Sequence, residues 1–503
     1  MTRTTTARTA RAARLLAVGR TARLLSENGF DLCDLYYRMS SKKGAERFSA
    51  DRAAGLWEEF LRSRRRPDGA LTNVYVNVPF CRTRCSFCGL YTRPGAGQRE
   101  MRSYAGALIK EIEHFGRAFR GAEADHLYLG GTPSRLDDAA FGDLLEAVFS
   151  RFSFTPDGNR ILECAPSSMT SAKLRAAAGF GFNKINIGVQ TLDEKVLKAV
   201  DRPQDRDSVL RLIGEVNSLG LKFGCNADLI MGLYGETAAG FLDSFRAIAR
   251  SSPQTISVYD LYLIPSYVDR YYGGDHEAAA AALESFRAGT AGPMRKIAAE
   301  AGYVLTCRNN SREWIFSRRE ALKDFSLYTV YTGEFSPAPS STLGLGAAAR
   351  SLMYGRYSYL QDAEAMVEFS PGAPMFSGTP VSMEGEMIKF LFVCFRTGVP
   401  VPLDYFRKRF GTDLLKKFKG PLAELARLNY VKIADKKVSL TRSGPASLLF
   451  CGLCLIGMER FVREALPFFP ENIRASFAAS AAGRPAKLYP AVNHRNSWPR
   501  TGS

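Results

Sequence analysis

Hydrophobic and polar residues alternate in several short stretches of this 503-residue chain, with helical patterns between them. In 73–78, Val74, Val76 and Val78 alternate with Tyr75 and Asn77, the period of two that marks a strand buried on one face. Further strands are expected at 126–129, 160–164, 184–189, 223–230 and 255–263, and helices at 101–119, 141–152 and 208–219. Strands alternating with crossover helices predict βαβ units and a parallel sheet. Six such units predict an α/β fold in the form of an open or partial barrel. Chemistry in such sheets gathers at the C-terminal ends of the strands.

The flanking regions read differently. Residues 1–70 form a basic N-terminal extension that looks peripheral to the core, and Arg62–Gly69 (RSRRRPDG) closes a helical pattern on a turn and a boundary. Residues 71–300 hold the alternating units, and 301–380 form a less regular flanking segment with a Gly-rich stretch at Leu343–Gly346. Residues 381–460 read as a small helical domain closed by a hairpin, resembling a winged helix, and 461–503 read as a disordered tail.

Composition narrows the function classes. Hydrophobic residues make up 46% and aromatics 11%, enough for a sizeable core. The net charge of +18 favours anionic partners without choosing among them. Arg3, Arg8, Arg11, Arg14, Arg20 and Arg23 all precede the first acidic residue, Glu27. That opening reads as a solvated extension, with a transit peptide as the other reading. The apolar run at 446–458 is interrupted and too short to span a bilayer. A monomer in the reducing cytoplasm is expected, and no cluster of base-reading residues points to nucleic acid.

The sharpest chemical feature is Val78–Gly89, VPFCRTRCSFCG. Cys81, Cys85 and Cys88 directly follow the 73–78 strand, on a loop at its C-terminal end. Thiolates are soft ligands for zinc or iron–sulfur clusters. A closed zinc site wants four ligands, and no fourth cysteine lies nearby in a chain with four histidines. Three thiolates leave a four-iron cluster one open iron. Incidental cysteines and a Cys85/Cys88 redox pair are the other readings. Cys451 and Cys454 sit in an apolar run and read as packing residues.

The spacing C-x3-C-x2-C resembles the signature of the radical S-adenosylmethionine (SAM) superfamily. The context YVNVPFCRTRCSFCG resembles the oxygen-independent coproporphyrinogen III oxidase (HemN-like) family, which includes related haem chaperones. YLGGTPS at Tyr128–Ser134, LECAP at Leu162–Pro166, INIGVQTLDEKVLKAVDR at Ile185–Arg202, DLIMGL at Asp228–Leu233 and SVYDLYLIP at Ser257–Pro265 continue the likeness in order. The resemblance spans about 71–450. It implies a partial (β/α)6 TIM-like radical SAM barrel with a smaller C-terminal winged-helix-like domain. It implies a [4Fe–4S] cluster on Cys81, Cys85 and Cys88, and one or two molecules of SAM.

SAM contacts are implied for Tyr75, Gly130, Gly131, Thr132, Glu163, Gln190, Arg202, Asp228 and Tyr262, the last at a sixth-strand position where this chain carries a bulky ring. Glycines let backbone approach a ligand closely, a buried Glu163 needs a partner, and Arg202 offers a fork for a carboxylate. The implied chemistry is reductive cleavage of SAM to a 5′-deoxyadenosyl radical, fed by an electron donor such as flavodoxin or ferredoxin. The implied substrate is a small molecule, a tetrapyrrole or a related anionic compound. Radical C-methylation or cyclopropanation and a haem-chaperone role are the alternatives. Three local features depart from the family pattern: GFDLCDLYYRMSSKKG replaces a tyrosine-rich N-terminal motif, Gly89-Leu90-Tyr91 replaces an extra cysteine, and CRNNSREW at Cys307–Trp314 lacks a histidine.

Overall fold

The computed structural model describes residues 46–63, 70–309, 313–320, 339–363, 368–427 and 429–441. Cys451, Cys454, the arginine-rich opening and the expected tail lie outside them. A thirteen-stranded sheet organises the chain. Its strands in chain order are β1 (Glu46–Ser49), β2 (Leu71–Val78), β3 (His126–Gly131), β4 (Arg160–Cys164), β5 (Lys184–Gln190), β6 (Cys225–Met231), β7 (Thr255–Asp260), β8 (Tyr303–Asn309), β9 (Glu313–Arg318), β10 (Ser340–Leu345), β11 (Arg350–Met353), β12 (Tyr357–Gln361) and β13 (Pro374–Pro380). The spatial order is β1-β13-β12-β11-β10-β2-β3-β4-β5-β6-β7-β9-β8. From β10 through β7 every pairing is parallel.

Crossover helices join the parallel strands: α2 (Gln98–Gly116), α3 (Asp138–Arg151), α4 (Ser171–Phe180), α5 (Glu194–Ala199), α6 (Arg206–Ser218) and α7 (Ala238–Arg250). Side chains on the α3 and α6 N-caps, Asp137 and Asp205, accept from backbone N–H groups three residues on. The apolar strand positions Val74, Val76, Leu127, Leu129, Leu162, Ile185, Ile187, Ala227, Leu229, Ile256 and Val258 all enter one core. Each fully buried aliphatic side chain of this kind contributes about 1.5–3 kcal/mol. The alternate positions carry Tyr75, Asn77, Tyr128, Glu163, Asn186, Asn226, Asp228 and Ser257, so the face away from that core is polar. Such a face suits a bound polar ligand.

Two expectations are corrected. The extension 1–70 is not peripheral throughout: β1 pairs with β13, and α1 (Ala50–Arg62) sends Ala50, Ala53, Trp57 and Phe60 into the core. Trp57 Nε1 donates to Tyr359 Oη at 2.8 Å. A dense arginine content disguises this stripe, which repeats at helical spacing. The irregular segment 301–380 supplies six strands, β8 to β13, at the two edges of the sheet. Among them β10 extends the parallel run to a seventh strand beside β2. Its sequence SSTLGL has low strand propensity. Gly344 is needed there because a Cβ would come within 2.3 Å of the Arg350 carbonyl oxygen. Non-local pairing overrides the local preference.

After β7 come α8 (Pro265–Tyr272) and α9 (His276–Glu300). Beyond the sheet, α10 (Met383–Thr397), β14 (Val401–Pro402), α11 (Leu403–Phe410), α12 (Lys419–Arg427), β15 (Val431–Ala434) and β16 (Lys437–Leu440) build a second core on Leu391, Phe406, Leu425 and Val438. This helix and hairpin order is that of a winged helix. Arg409 ties the two cores together: its guanidinium lies 4.7 Å from the Phe390 ring, and its Nε donates to Tyr354 Oη at 3.2 Å. No helix among the described residues is long and apolar enough to cross a membrane.

Candidate active site

The cysteine loop leaves the C-terminal end of β2. Cys81, Cys85 and Cys88 are all partly accessible and unoxidised. The Cys88 N–H donates to the Cys85 carbonyl at 3.0 Å, which turns the chain so that both side chains lie on one short arc. Burial pushes the Cys81 and Cys88 thiols up, and mutual repulsion with Cys85 adds to it. Two groups oppose that shift at Cys81: the Thr132 hydroxyl, 3.7 Å from its sulfur, and the Arg202 cation. Arg202 Nη1 itself lies 3.7 Å from Cys85 Sγ.

Among the described residues no group of three or more His, Cys, Asp or Glu is gathered to hold a single metal ion. The donors of the cysteine triplet fit a [4Fe–4S] cluster: three soft thiolates would hold it, with polar donors placed against the Cys81 and Cys85 sulfurs. Three thiolates would leave one iron of such a cluster for another ligand.

Around the loop, neighbouring strand ends close in. Gly130, the penultimate residue of β3, lies against Tyr75, where a Cβ would meet that ring at 2.8 Å. The Tyr75 and Tyr128 rings stack at 5.9 Å. Gly131 has φ +80°, and a Cβ there would sit 2.2 Å from the Val78 carbonyl oxygen. Its N–H donates to Glu163 Oε2 at 3.0 Å, and Tyr128 Oη reaches the same oxygen at 3.4 Å. Glu163 thus finds neutral donors rather than a directly bonded cation, and burial raises its pKa. Asp228 accepts from Asn226 Nδ2 at 2.7 Å, and burial pushes its carboxyl up to about 7.

Arg202 is more heavily engaged than a free carboxylate fork would be. Besides Cys85, it donates to the Gly188 carbonyl and, through Nε, to Gln204 Oε1 at 3.0 Å. Gln190 sits at the end of β5 with φ 67°, an uncommon backbone for a side-chain-bearing residue. Tyr262 lies two residues beyond β7 and is 45% exposed, and no hydrogen bond or ring contact holds its side chain among the described residues. The other expected site residues are brought to one end of the sheet; Tyr262 stands at its margin.

Sequence reasoning missed three partners. A Cβ on Gly188 would come within 3.0 Å of Arg202 Nη2 and 2.9 Å of Gln190 Nε2, so that glycine makes room for both side chains. A glycine inside the KINIGV strand was the available signal. Gln204 holds Arg202 and donates to the Val189 carbonyl. Asn226 orients Asp228 while its own Oδ1 accepts from Thr255 Oγ1 at 2.7 Å and Ser257 Oγ at 3.0 Å. Neither polar residue carries a motif.

Residues 75–248 match the profile of the Radical SAM superfamily. Oxygen-independent coproporphyrinogen III oxidase of Escherichia coli (strain K12) is 24% identical over 416 residues, covering 78% of this chain and 86% of that protein. The protein of the same name from Bradyrhizobium diazoefficiens is 28% identical over 333 residues, covering 62% and 69%. Heme chaperone HemW of Buchnera aphidicola is 23% identical over 195 residues, covering 39% and 51%. The solved structure of coproporphyrinogen III oxidase (HemN) from Escherichia coli superposes with a TM-score of 0.65 at 20% identity, over 84% of this chain and 99% of that one. With the cysteine arc, the strand-end residues and the fold in agreement, residues 75–248 form a radical SAM domain that uses a [4Fe–4S] cluster and SAM, within an enzyme similar to the HemN-like oxidases in sequence and fold.

Proposed function

We propose that the chain oxidises a coproporphyrinogen-like tetrapyrrole, removing carboxyl groups from its propionate side chains. The observation that carries this reading is the breadth of the match to the Escherichia coli oxidase, which extends through 86% of that protein and not only its cysteine motif. When bound, the cluster and SAM supply a 5′-deoxyadenosyl radical that takes a hydrogen atom from substrate. The propionate then loses carbon dioxide and one electron to an external acceptor, leaving a vinyl group.

The chain's own residues do the rest. Cys81, Cys85 and Cys88 hold the cluster. The Gly130–Thr132 backbone and Glu163 bind the amino group of SAM, and Asp228 binds ribose hydroxyls. Tyr75 and Gln190 orient it, and Arg202 balances charge beside Cys85. Tyr262 at the margin contacts substrate or a second SAM. The polar face of β2–β7 receives the anionic substrate, and the net charge of +18 favours its approach. An electron donor of the flavodoxin or ferredoxin class serves a cytoplasmic monomer.

Anaerobic incubation of the cluster-loaded protein with SAM, a reductant and coproporphyrinogen III tests the reading. Formation of 5′-deoxyadenosine with release of carbon dioxide and vinyl product is expected. Formation of 5′-deoxyadenosine without any change in the tetrapyrrole rejects the substrate. A second reading, haem handling, draws on the HemW match. Tight stoichiometric haem binding with no SAM cleavage favours it.

A further inference from the structure

The cysteine loop has little internal bonding of its own, and Arg82, Thr83 and Arg84 are exposed. What fixes its second half comes from elsewhere. The Ser86 N–H donates to the Val200 carbonyl at 3.1 Å, and Thr83 Oγ1 donates to the Asp201 carbonyl at 2.8 Å. Both acceptors lie on the turn that ends α5, where Asp201 has φ 57°. That turn is held in place by α8. The Tyr271 hydroxyl lies 2.5 Å from the Ala199 carbonyl and 3.0 Å from Ser86 Oγ, so one group touches both the turn and the cysteine loop. Arg270 pairs with Asp201, and its guanidinium covers the Tyr271 ring at 5.0 Å.

The ring itself is gripped. It stacks on Tyr234 at 4.5 Å and 23°, and packs at a 53° tilt against Tyr267 at 4.6 Å. Tyr267 is fully buried, and its hydroxyl accepts from the Tyr234 N–H at 2.6 Å. Phe87, between Cys85 and Cys88, packs into the same satellite apolar cluster with Val196, Val200, Leu233 and Tyr267. This cluster is separate from the main core and is built from segments that follow β5, β6 and β7.

We propose that Tyr271 is a positioning residue of the iron–sulfur site. Its hydroxyl, shared between Ser86 and Ala199, holds the Cys85–Cys88 arc against the α5 turn and keeps water from that side of the thiolates. Hydrogen bonds and solvent exposure set the reduction potential and the affinity of such a site. Losing the hydroxyl opens the arc to water, which favours the more negative, reduced cluster, so the potential rises. The proposal rests on the triplet as the cluster site and not on the tetrapyrrole reading.

The test compares Tyr271→Phe, Ser86→Ala and Tyr272→Phe with the unaltered full-length protein after anaerobic loading with iron and sulfide. Tyr271→Phe keeps the stacked ring and removes only the hydroxyl. Three quantities are read: iron retained against a chelator, the electron paramagnetic resonance spectrum and midpoint potential of the reduced cluster, and the thermal midpoint of the cluster-free protein. Tyr271→Phe is expected to lose iron on the order of tenfold faster. It should also show a shifted spectrum and a higher potential, with the cluster-free thermal midpoint unchanged. Ser86→Ala should move the same way by less, and Tyr272→Phe should match the unaltered protein. Unaltered retention, spectrum and potential in Tyr271→Phe would overturn the proposal. So would an effect of Tyr272→Phe as large as that of Tyr271→Phe, since that would make the loss of any nearby hydroxyl responsible and not the Tyr271 contacts with Ser86 and Ala199. Because none of these readouts needs a tetrapyrrole, failure of the substrate reading leaves them interpretable.

Discussion

Single residues carry the chemistry here, and their environments predict how each fails. On the proposed function, replacing any of Cys81, Cys85 or Cys88 with alanine leaves two thiolates for a cluster that needs three. Iron and sulfide analysis after loading should show loss of the cluster and of SAM cleavage, while the fold persists, because none of the three is fully buried. Glu111 behaves differently. It is buried in the main core, accepts from the Gly346 N–H at 3.1 Å, and is pushed up to about 8 from an ordinary 4.5 by burial. Its folded-state pKa is raised, so its contribution to stability is complete below about 4.5 and is lost as pH climbs toward about 8. Thermal midpoints measured across that window should decline for the native protein. Glu111→Gln, which stays neutral, should flatten the decline.

At the scale of elements, one glycine-dependent approach and one helix stand out. Gly131→Ala forces a Cβ to within 2.2 Å of the Val78 carbonyl oxygen at a backbone angle of φ +80°. The strain separates the ends of β2 and β3, where Cys81 and Thr132 meet. Isothermal titration should show SAM binding falling by at least about tenfold, equivalent to about 1.4 kcal/mol. Trp57→Ala probes α1, which looked peripheral in the sequence. A fully buried tryptophan bonded to Tyr359 should cost about 3–5 kcal/mol in urea unfolding, whereas a peripheral helix would lose little.

The whole molecule gathers its ligand site from strand ends spread over the chain, so binding and stability are linked. SAM at a hundred times its dissociation constant should stabilise the cluster-loaded protein by about 2.7 kcal/mol. A scanning calorimetry shift with SAM, absent from the Cys88→Ala variant, checks this. The positions of strands β2 to β7 and the alternation along β2 were legible in the sequence, because alternation is a local property with a fixed period. So was the cysteine arc, since its three ligands lie within eight residues. The elements flanking these strands were not legible: β10 reads as a Gly-rich irregularity and α1 as part of a basic arm. Their structure depends on partners hundreds of residues away, as in the Trp57–Tyr359 contact.

The sequence by itself carried the thiolate triplet and its likeness to the radical SAM signature, because residue type and close spacing survive any folding. Only the tertiary structure decided what surrounds those ligands. Arg202 against Cys85, Gly188 making room for Arg202, and Tyr271 against Ser86 join segments separated by 117, 14 and 185 positions. No local pattern encodes such meetings. They exist because seven parallel strands end on one side, and each sends its following turn to the same place.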